Sequence, residues 1–264
     1  MDAAHLARQT AVLNDLIGIY HRIPTTSRDL QKERTEFRQT IEAMQQALYP
    51  WITTPNRDGN RTYISFFDLL ESYTQDAGIV ISTGRDGGFR WAMHQIIILR
   101  KVLNCTLPIE VFYGGDGDLP EHYRVFVESI GQEFPDAAPI TTVDITKRFP
   151  DPDNILGLPG GWAMRPFAIL ASSFKTAILA DADTVFLQDP SIILDEPMYH
   201  EYGSIFWHDR TLAPAPEETY KWADELLEAS KAKNMDRVRN AGWFRHETFY
   251  EMERYTFNIH IANH

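Results

Sequence analysis

Four short apolar runs constrain this chain more than any other feature. "GIVIST" (78–83), "IEVFYGG" (109–115), "ITTVDIT" (140–146) and "KTAILA" (175–180) are too brief for helices, and the first is β-branched and uninterrupted. Such runs suit strands covered on both faces. Helical segments separate them: "WAMHQIIILRKVL" (91–103), "PEHYRVFVESIG" (120–131) and "GWAMRPFAILASSF" (161–174), with Pro166 near the first turn of the last. "GSIFWHDRT" (203–211) reads as another strand. The alternation predicts an α/β fold, a mainly parallel sheet with helices on both faces. Ligands of such sheets gather at the carboxyl ends of the strands.

Residues 1–75 read as a separate helical region. In "TSRDLQKERTEFRQTIEAMQQALYPW" a cap at Thr26 or Ser27 precedes Leu30, Phe37, Ile41, Met44 and Leu48 on one face, and Pro50 stops the helix. "FFDLLESY" (66–73) is a second, short helix. "PEETYKWADELLEASKAKN" (216–234) is a charged amphipathic helix that would cover the sheet, and the last thirty residues are aromatic-rich without a clear period.

Composition removes several function classes. The net charge of −12 makes nucleic acid an unsuitable partner, because a phosphate backbone needs a basic surface. A single cysteine, Cys105, allows neither an internal disulfide nor a thiolate zinc site. No run approaches the ~18 apolar residues of a membrane span, and the opening residues lack a signal-peptide core, so the sequence as written reads as soluble.

Asp181 and Asp183 follow the apolar strand "AILA" directly. Charges at the mouth of a core need a cation. If the strand continues through them, both side chains leave on one side and converge on one ion. Magnesium or manganese suits such a pair, since both take hard oxygen ligands and leave positions for substrate phosphates. Two other readings remain: aspartates that cap a turn, and the nucleophile motif of haloacid-dehalogenase-like phosphatases, which "DADTV" also matches.

In "STGRDGGFR" (82–90) the glycines would let backbone amides approach a ligand while Arg85 and Arg90 reach phosphate; the alternative is a solvated loop. "GGDGDLP" (114–120) reads as a turn whose Asp116 would face the sugar nucleotide at its strand end, and not as a calcium loop, since Val127 stands where such a loop needs a bidentate glutamate. Arg165 either contacts phosphate or acceptor or is a surface arginine. His260 and His264 stand four apart, as ligands on a helix would, but read better as surface histidines. Asn60 and Asn104 open glycosylation sequons.

Taken together, "GIVISTG", "LRKVLNCTLPIEVFYGGDGDLP", "GWAMRPFAILASSFKTAILADADTVFLQDP" and "YGSIFWHDRTL" resemble the fungal α-mannosyltransferases of glycosyltransferase family 71, which includes α-1,3-mannosyltransferases. The resemblance implies a GT-A type nucleotide-sugar-binding fold, GDP-mannose as donor, Mn²⁺ (or Mg²⁺) as cofactor, and transfer with retention to a mannose-containing glycan or glycoprotein. It places Asp181 and Asp183 at the metal and diphosphate, and Thr83, Gly84 and Arg85 beside the nucleotide. Trp162 and Arg165 would border the donor sugar. It also implies a membrane-anchored Golgi protein, although no anchor stands in this chain. The expected organisation is a stem-like region (1–75), a GT-A core (76–212) and a helical C-terminal segment (213–264) cut short relative to the family. The competing expectation is an inactive nucleotide-sugar-binding remnant.

Overall fold

A computed structural model describes residues 3–24, 28–50, 65–84, 88–149, 163–206 and 259–263. They fall into two compact units. The first contains helices α1 (Ala3–Arg22) and α2 (Arg28–Leu48). The apolar stripe read in α2 is its covered face, with Ile41 buried and Leu30, Phe37, Met44 and Leu48 half-buried; Gln45 is buried beside them. Arg34 ties the pair together, donating to the Ile23 carbonyl at 2.8 Å and stacking 4.2 Å above the Tyr20 ring. The proposed cap at Thr26 or Ser27 lies outside the described residues.

The second unit is built on strands β1 (Gln75–Ser82), β2 (Ile109–Tyr113), β3 (Ile140–Asp144), β4 (Phe174–Asp181), β5 (Ser204–Phe206) and β6 (Ile259–Asn263). Their order is β3-β2-β1-β4-β6-β5. The first four are mutually parallel and flanked by helices, an α/β sheet of GT-A type. β6 runs antiparallel to both β4 and β5. Residues 259–263 are therefore a strand within the sheet, where the sequence reading expected a helical segment; the expected helix 216–234 lies outside the described residues.

The intervening helices are α3 (Phe66–Glu71), α4 (Gly88–Ile97), α5 (Glu121–Gln132), α6 (Ile145–Arg148), α7 (Met164–Ala171) and, before β5, α8 (Pro197–Tyr202). Ser65 caps α3, its hydroxyl accepting from Asp68 N–H at 3.3 Å. The glycine loop is shorter than its sequence suggests, because Gly88, Phe89 and Arg90 already form the first turn of α4. At its far end α4 widens into a π turn, Ile98–Val102, closed by Leu103 N–H to Ile98 C=O at 3.0 Å.

Why β1 and β4 lie so close is visible at Gly78. A Cβ there would stand 2.3 Å from the ring of Phe174, which is fully buried, so only glycine leaves room for the aromatic. The core cluster is mainly aliphatic: Ile79, Ile81, Ile96, Leu99, Ile109, Val111 and Ile178 pack together, with Phe186 and Tyr199 at the same cluster.

At the amino ends of the strands Glu110 is buried, accepting from Ser173 Oγ at 2.6 Å and Ser173 N–H at 3.1 Å. Burial raises its pKa above the ordinary 4.5, with the Ser173 hydrogen bonds opposing. The folded state thus holds this proton more tightly than the unfolded chain, and stability falls as pH climbs from 4.5 through the raised value. Glu110→Gln removes that titration. The melting-temperature difference, variant minus wild type, should grow with pH across this window in thermal scans; a constant difference would contradict it.

Candidate functional site

The parallel register aligns four strand ends. Ser82 pairs with both Phe112 and Asp181, and Tyr113 pairs with Asp144, so one edge of the sheet carries the residues that follow β1 and β2 and those that end β3 and β4. Of the candidates named from sequence, Thr83, Gly84, Asp116, Arg165, Asp181 and Asp183 are described, while Arg85 and Trp162 lie outside the described residues.

Asp181 is the last residue of β4 and is only 6% exposed. Its Oδ1 accepts from Arg165 Nη2 at 2.9 Å, which joins the first turn of α7 to the strand end. Asp183 does not continue the strand. Thr184 N–H donates to Asp181 C=O at 2.9 Å, closing a turn over Ala182 and Asp183 that leaves Asp183 exposed. The argument that strand periodicity points both carboxylates one way therefore fails. The chain reverses at Asp181, and the turn, not the pleat, sets the direction of Asp183. Asp181 already meets a cation, the Arg165 guanidinium, so that arginine is part of the site and not a free surface residue.

Beneath the turn lies Gln95, on the core face of α4 and 3% exposed. Its Nε2 donates to Asp181 C=O and to Thr184 C=O, both at 3.1 Å. The sequence reading passed over it. An amide directly before the apolar run in "AMHQIII" was the available signal.

At the end of β1, Thr83 extends the ladder through its N–H to Phe112 C=O at 2.9 Å. Its side chain is 3% exposed, and its hydroxyl has no hydrogen-bond partner. The hydroxyl lies against the start of α4, where a Cβ on Gly88 would approach it to 3.2 Å. The buried hydroxyl thus stands beside the N-terminus of α4.

Gly84 is required for a different reason. A Cβ there would sit 2.2 Å from Asp118 Oδ1, so the backbone after β1 passes directly over a carboxylate. Asp118 is nearly buried and accepts from Gly114 N–H at 2.8 Å. The acid that reaches the β1 end is therefore Asp118. Asp116, the sequence candidate, is exposed and paired with Arg124 Nη1 at 2.6 Å, whose guanidinium stands 5.1 Å from the Tyr113 ring centroid. That pairing raises the pKa of Arg124. Gly84→Ala should displace Asp118 and cost about 1–3 kcal/mol by overpacking, read from urea midpoints. A stability change below about 0.5 kcal/mol would show that the carboxylate moves freely.

Among the described residues no group of three or more His, Cys, Asp or Glu gathers around one point, so two aspartates are the carboxylates on offer at the turn. A cavity of about 580 Å³ follows the turn in sequence, lined by Phe186 to Pro190, Ile192, Ile193, Glu196, Met198 and Ile205; none of the predicted site residues lines it. His260 lies in β6, so helical spacing to His264 does not apply, and His264 is outside the described residues. Asn104 is exposed and left-handed (φ 52°) after the π turn, and Asn60 lies outside the described residues.

Residues 76–262 match a protein family described as "Mannosyltransferase putative". The chain belongs to this mannosyltransferase family. The match takes in the whole sheet, from β1 to β6. Relatives from Candida albicans (strain SC5314 / ATCC MYA-2876) are named for both α-1,3 and α-1,2 linkages. "Putative alpha-1,3-mannosyltransferase MNN12" is 28% identical over 190 residues, covering 60% of this chain and 22% of the relative. "Alpha-1,2-mannosyltransferase MNN23" is 23% identical over 188 residues, covering 69% of this chain and 29% of the relative. The chain thus spans less than a third of the length of these relatives. Membership of a mannosyltransferase family leaves the phosphatase reading of "DADTV" without support. No described helix is long and apolar enough to cross a membrane.

Proposed function

We propose that this chain forms the donor-binding core of an α-mannosyltransferase that takes GDP-mannose and transfers mannose, with retention, to a mannose-containing glycan or glycoprotein. α-1,3 is the first linkage to test, although relatives are named for α-1,2 transfer as well. The Golgi lumen is the compartment this reaction implies. The observation carrying the reading is a buried aspartate at the end of β4, in register with a β1 end where Thr83 holds an unpartnered hydroxyl and the backbone at Gly84 packs directly against the Asp118 carboxylate.

A divalent ion, Mn²⁺ or Mg²⁺, fits this donor set. The turn offers two carboxylates, hard oxygen ligands, without enough protein groups to close a shell, which suits an ion that shares its coordination with substrate phosphates. Asp181 and Asp183 would hold it, with Asp181 sharing its carboxylate between ion and Arg165 or releasing the guanidinium toward the diphosphate. When bound, such an ion offsets the negative charge that grows on a departing diphosphate. The chain's own residues do the rest. Thr83 and Asp118 would shape the nucleoside side of the site, Gly84 lets the Asp118 carboxylate reach the β1 end, and Arg165 supplies a positive charge near the leaving group.

A second reading rests on the Asp181–Arg165 pair. An aspartate already neutralised by arginine, beside an exposed Asp183, also suits a domain that binds the sugar nucleotide without turning it over. Calorimetry with GDP-mannose and Mn²⁺, run beside a donor-hydrolysis assay, separates the two. Metal-dependent binding with hydrolysis supports the enzyme, and binding alone supports the remnant. No binding in either assay rejects both.

A further inference from the structure

We infer that Gln95 is a positioning residue for the donor site, acting by clamping the Asp181–Thr184 turn from inside the core. The inference rests on the reading of that turn as the metal and diphosphate site. The buried face of α4 is otherwise apolar, made of Ala92, Met93 and Ile96, with Leu99 following in the π turn. Into this face the chain places an amide whose two donor protons both go to the turn, at 3.1 Å to Asp181 C=O and 3.1 Å to Thr184 C=O. Its Oε1 is buried and has no hydrogen-bond partner.

An unpaired buried amide oxygen lowers stability, and an aliphatic residue of similar volume would avoid that loss. What the amide supplies instead is geometric. Asp181 C=O receives two donors, Thr184 N–H and Gln95 Nε2, and Thr184 C=O receives the other amide proton. Gln95 thus holds the Asp181–Ala182 and Thr184–Val185 peptides, and the Thr184 N–H bond holds the Asp183–Thr184 peptide, so the segment bearing the exposed Asp183 is pinned at both ends. Through those ends Gln95 constrains the direction in which the Asp183 carboxylate leaves the backbone. The same helix begins at Gly88 beside the Thr83 hydroxyl, so α4 holds both the β1 end and the β4 turn. A rigid element touching both loops keeps their spacing constant.

Gln95→Leu and Gln95→Met, which keep the volume and lose the donors, test this. Three quantities are measured on the whole chain: unfolding midpoint in urea, amide hydrogen exchange at Asp183 and Thr184, and Mn²⁺ affinity by paramagnetic resonance of the free ion. The expected result is a midpoint that changes little, because the lost amide donors and the lost unpaired Oε1 offset each other, with turn amides that exchange at least about tenfold faster than that change accounts for and Mn²⁺ affinity lower by about 10–100-fold. A purely structural role would lower the midpoint and leave exchange at the turn in step with the global change. Turn exchange and Mn²⁺ affinity both within about twofold of wild type would overturn the proposal. So would failure of both variants to fold, which would make Gln95 a determinant of the fold. If wild type itself binds no Mn²⁺, the donor-site reading fails on its own, and the exchange data still decide whether the clamp exists.

Discussion

Arg100→Met should lower stability by about 3–5 kcal/mol, because three backbone carbonyls lose their donor at once. Arg100 stands in the π turn after α4 and is 3% exposed. Its guanidinium donates to the carbonyls of Cys105 (2.6 Å), Leu107 (2.7 Å) and Ala138 (2.9 Å), stitching the loops that lead into β2 and β3. Burial lowers its pKa, with Cys105 and Asp189 opposing. Methionine fills much of the volume and leaves three carbonyls without their donor, each a cost of about 1–3 kcal/mol before water enters. Cys105 supplies the readout. It is the single thiol of the chain, buried, and pushed up to about 12 chiefly by that burial, so it should resist labelling until the loop opens. The variant should label faster than wild type under native conditions and unfold at lower urea. Equal labelling rates would mean that the carbonyls find other partners.

On the proposed function, Asp181→Asn should lower mannosyl transfer by about a hundredfold or more while leaving the sheet folded. The substitution keeps the shape and removes the charge that meets Arg165 at 2.9 Å and that a divalent ion would require. Because Asp181 ends β4 and its carbonyl still accepts from Thr184 and Gln95, the turn itself should persist. Circular dichroism should match wild type, donor hydrolysis should be lost, and Mn²⁺ binding should weaken in parallel. Turnover within about threefold of wild type would remove Asp181 from the mechanism.

Much of this sheet was readable in advance because parallel strands buried on both faces announce themselves as apolar runs. The runs at 78–83, 109–115, 140–146 and 175–180 all became strands, with edges shifted by a few residues. β6 was missed although "IHIA" alternates. An antiparallel strand of five residues, far along the chain from its partner, gives a weak local signal. Site residues divided along the same line. Asp181 was legible because a charge directly after a buried strand is unusual. Gln95, Asp118 and the Arg165–Asp181 pair were not, since each depends on contacts between segments distant in sequence. Asp116 and Asp118 are two residues apart in one turn, and only the backbone crossing at Gly84 tells which faces inward.

The placement of β6 between β4 and β5 carries a consequence for synthesis on the ribosome. β1 to β4, with every described member of the site, can assemble once residue 184 has emerged. The free edge of β4 must then wait for residues 259–263, because β5, made much sooner, pairs only with β6. Until that late strand arrives, a nascent chain presents an open row of hydrogen-bonding groups next to Asp181, the condition under which neighbouring polypeptides join edge to edge.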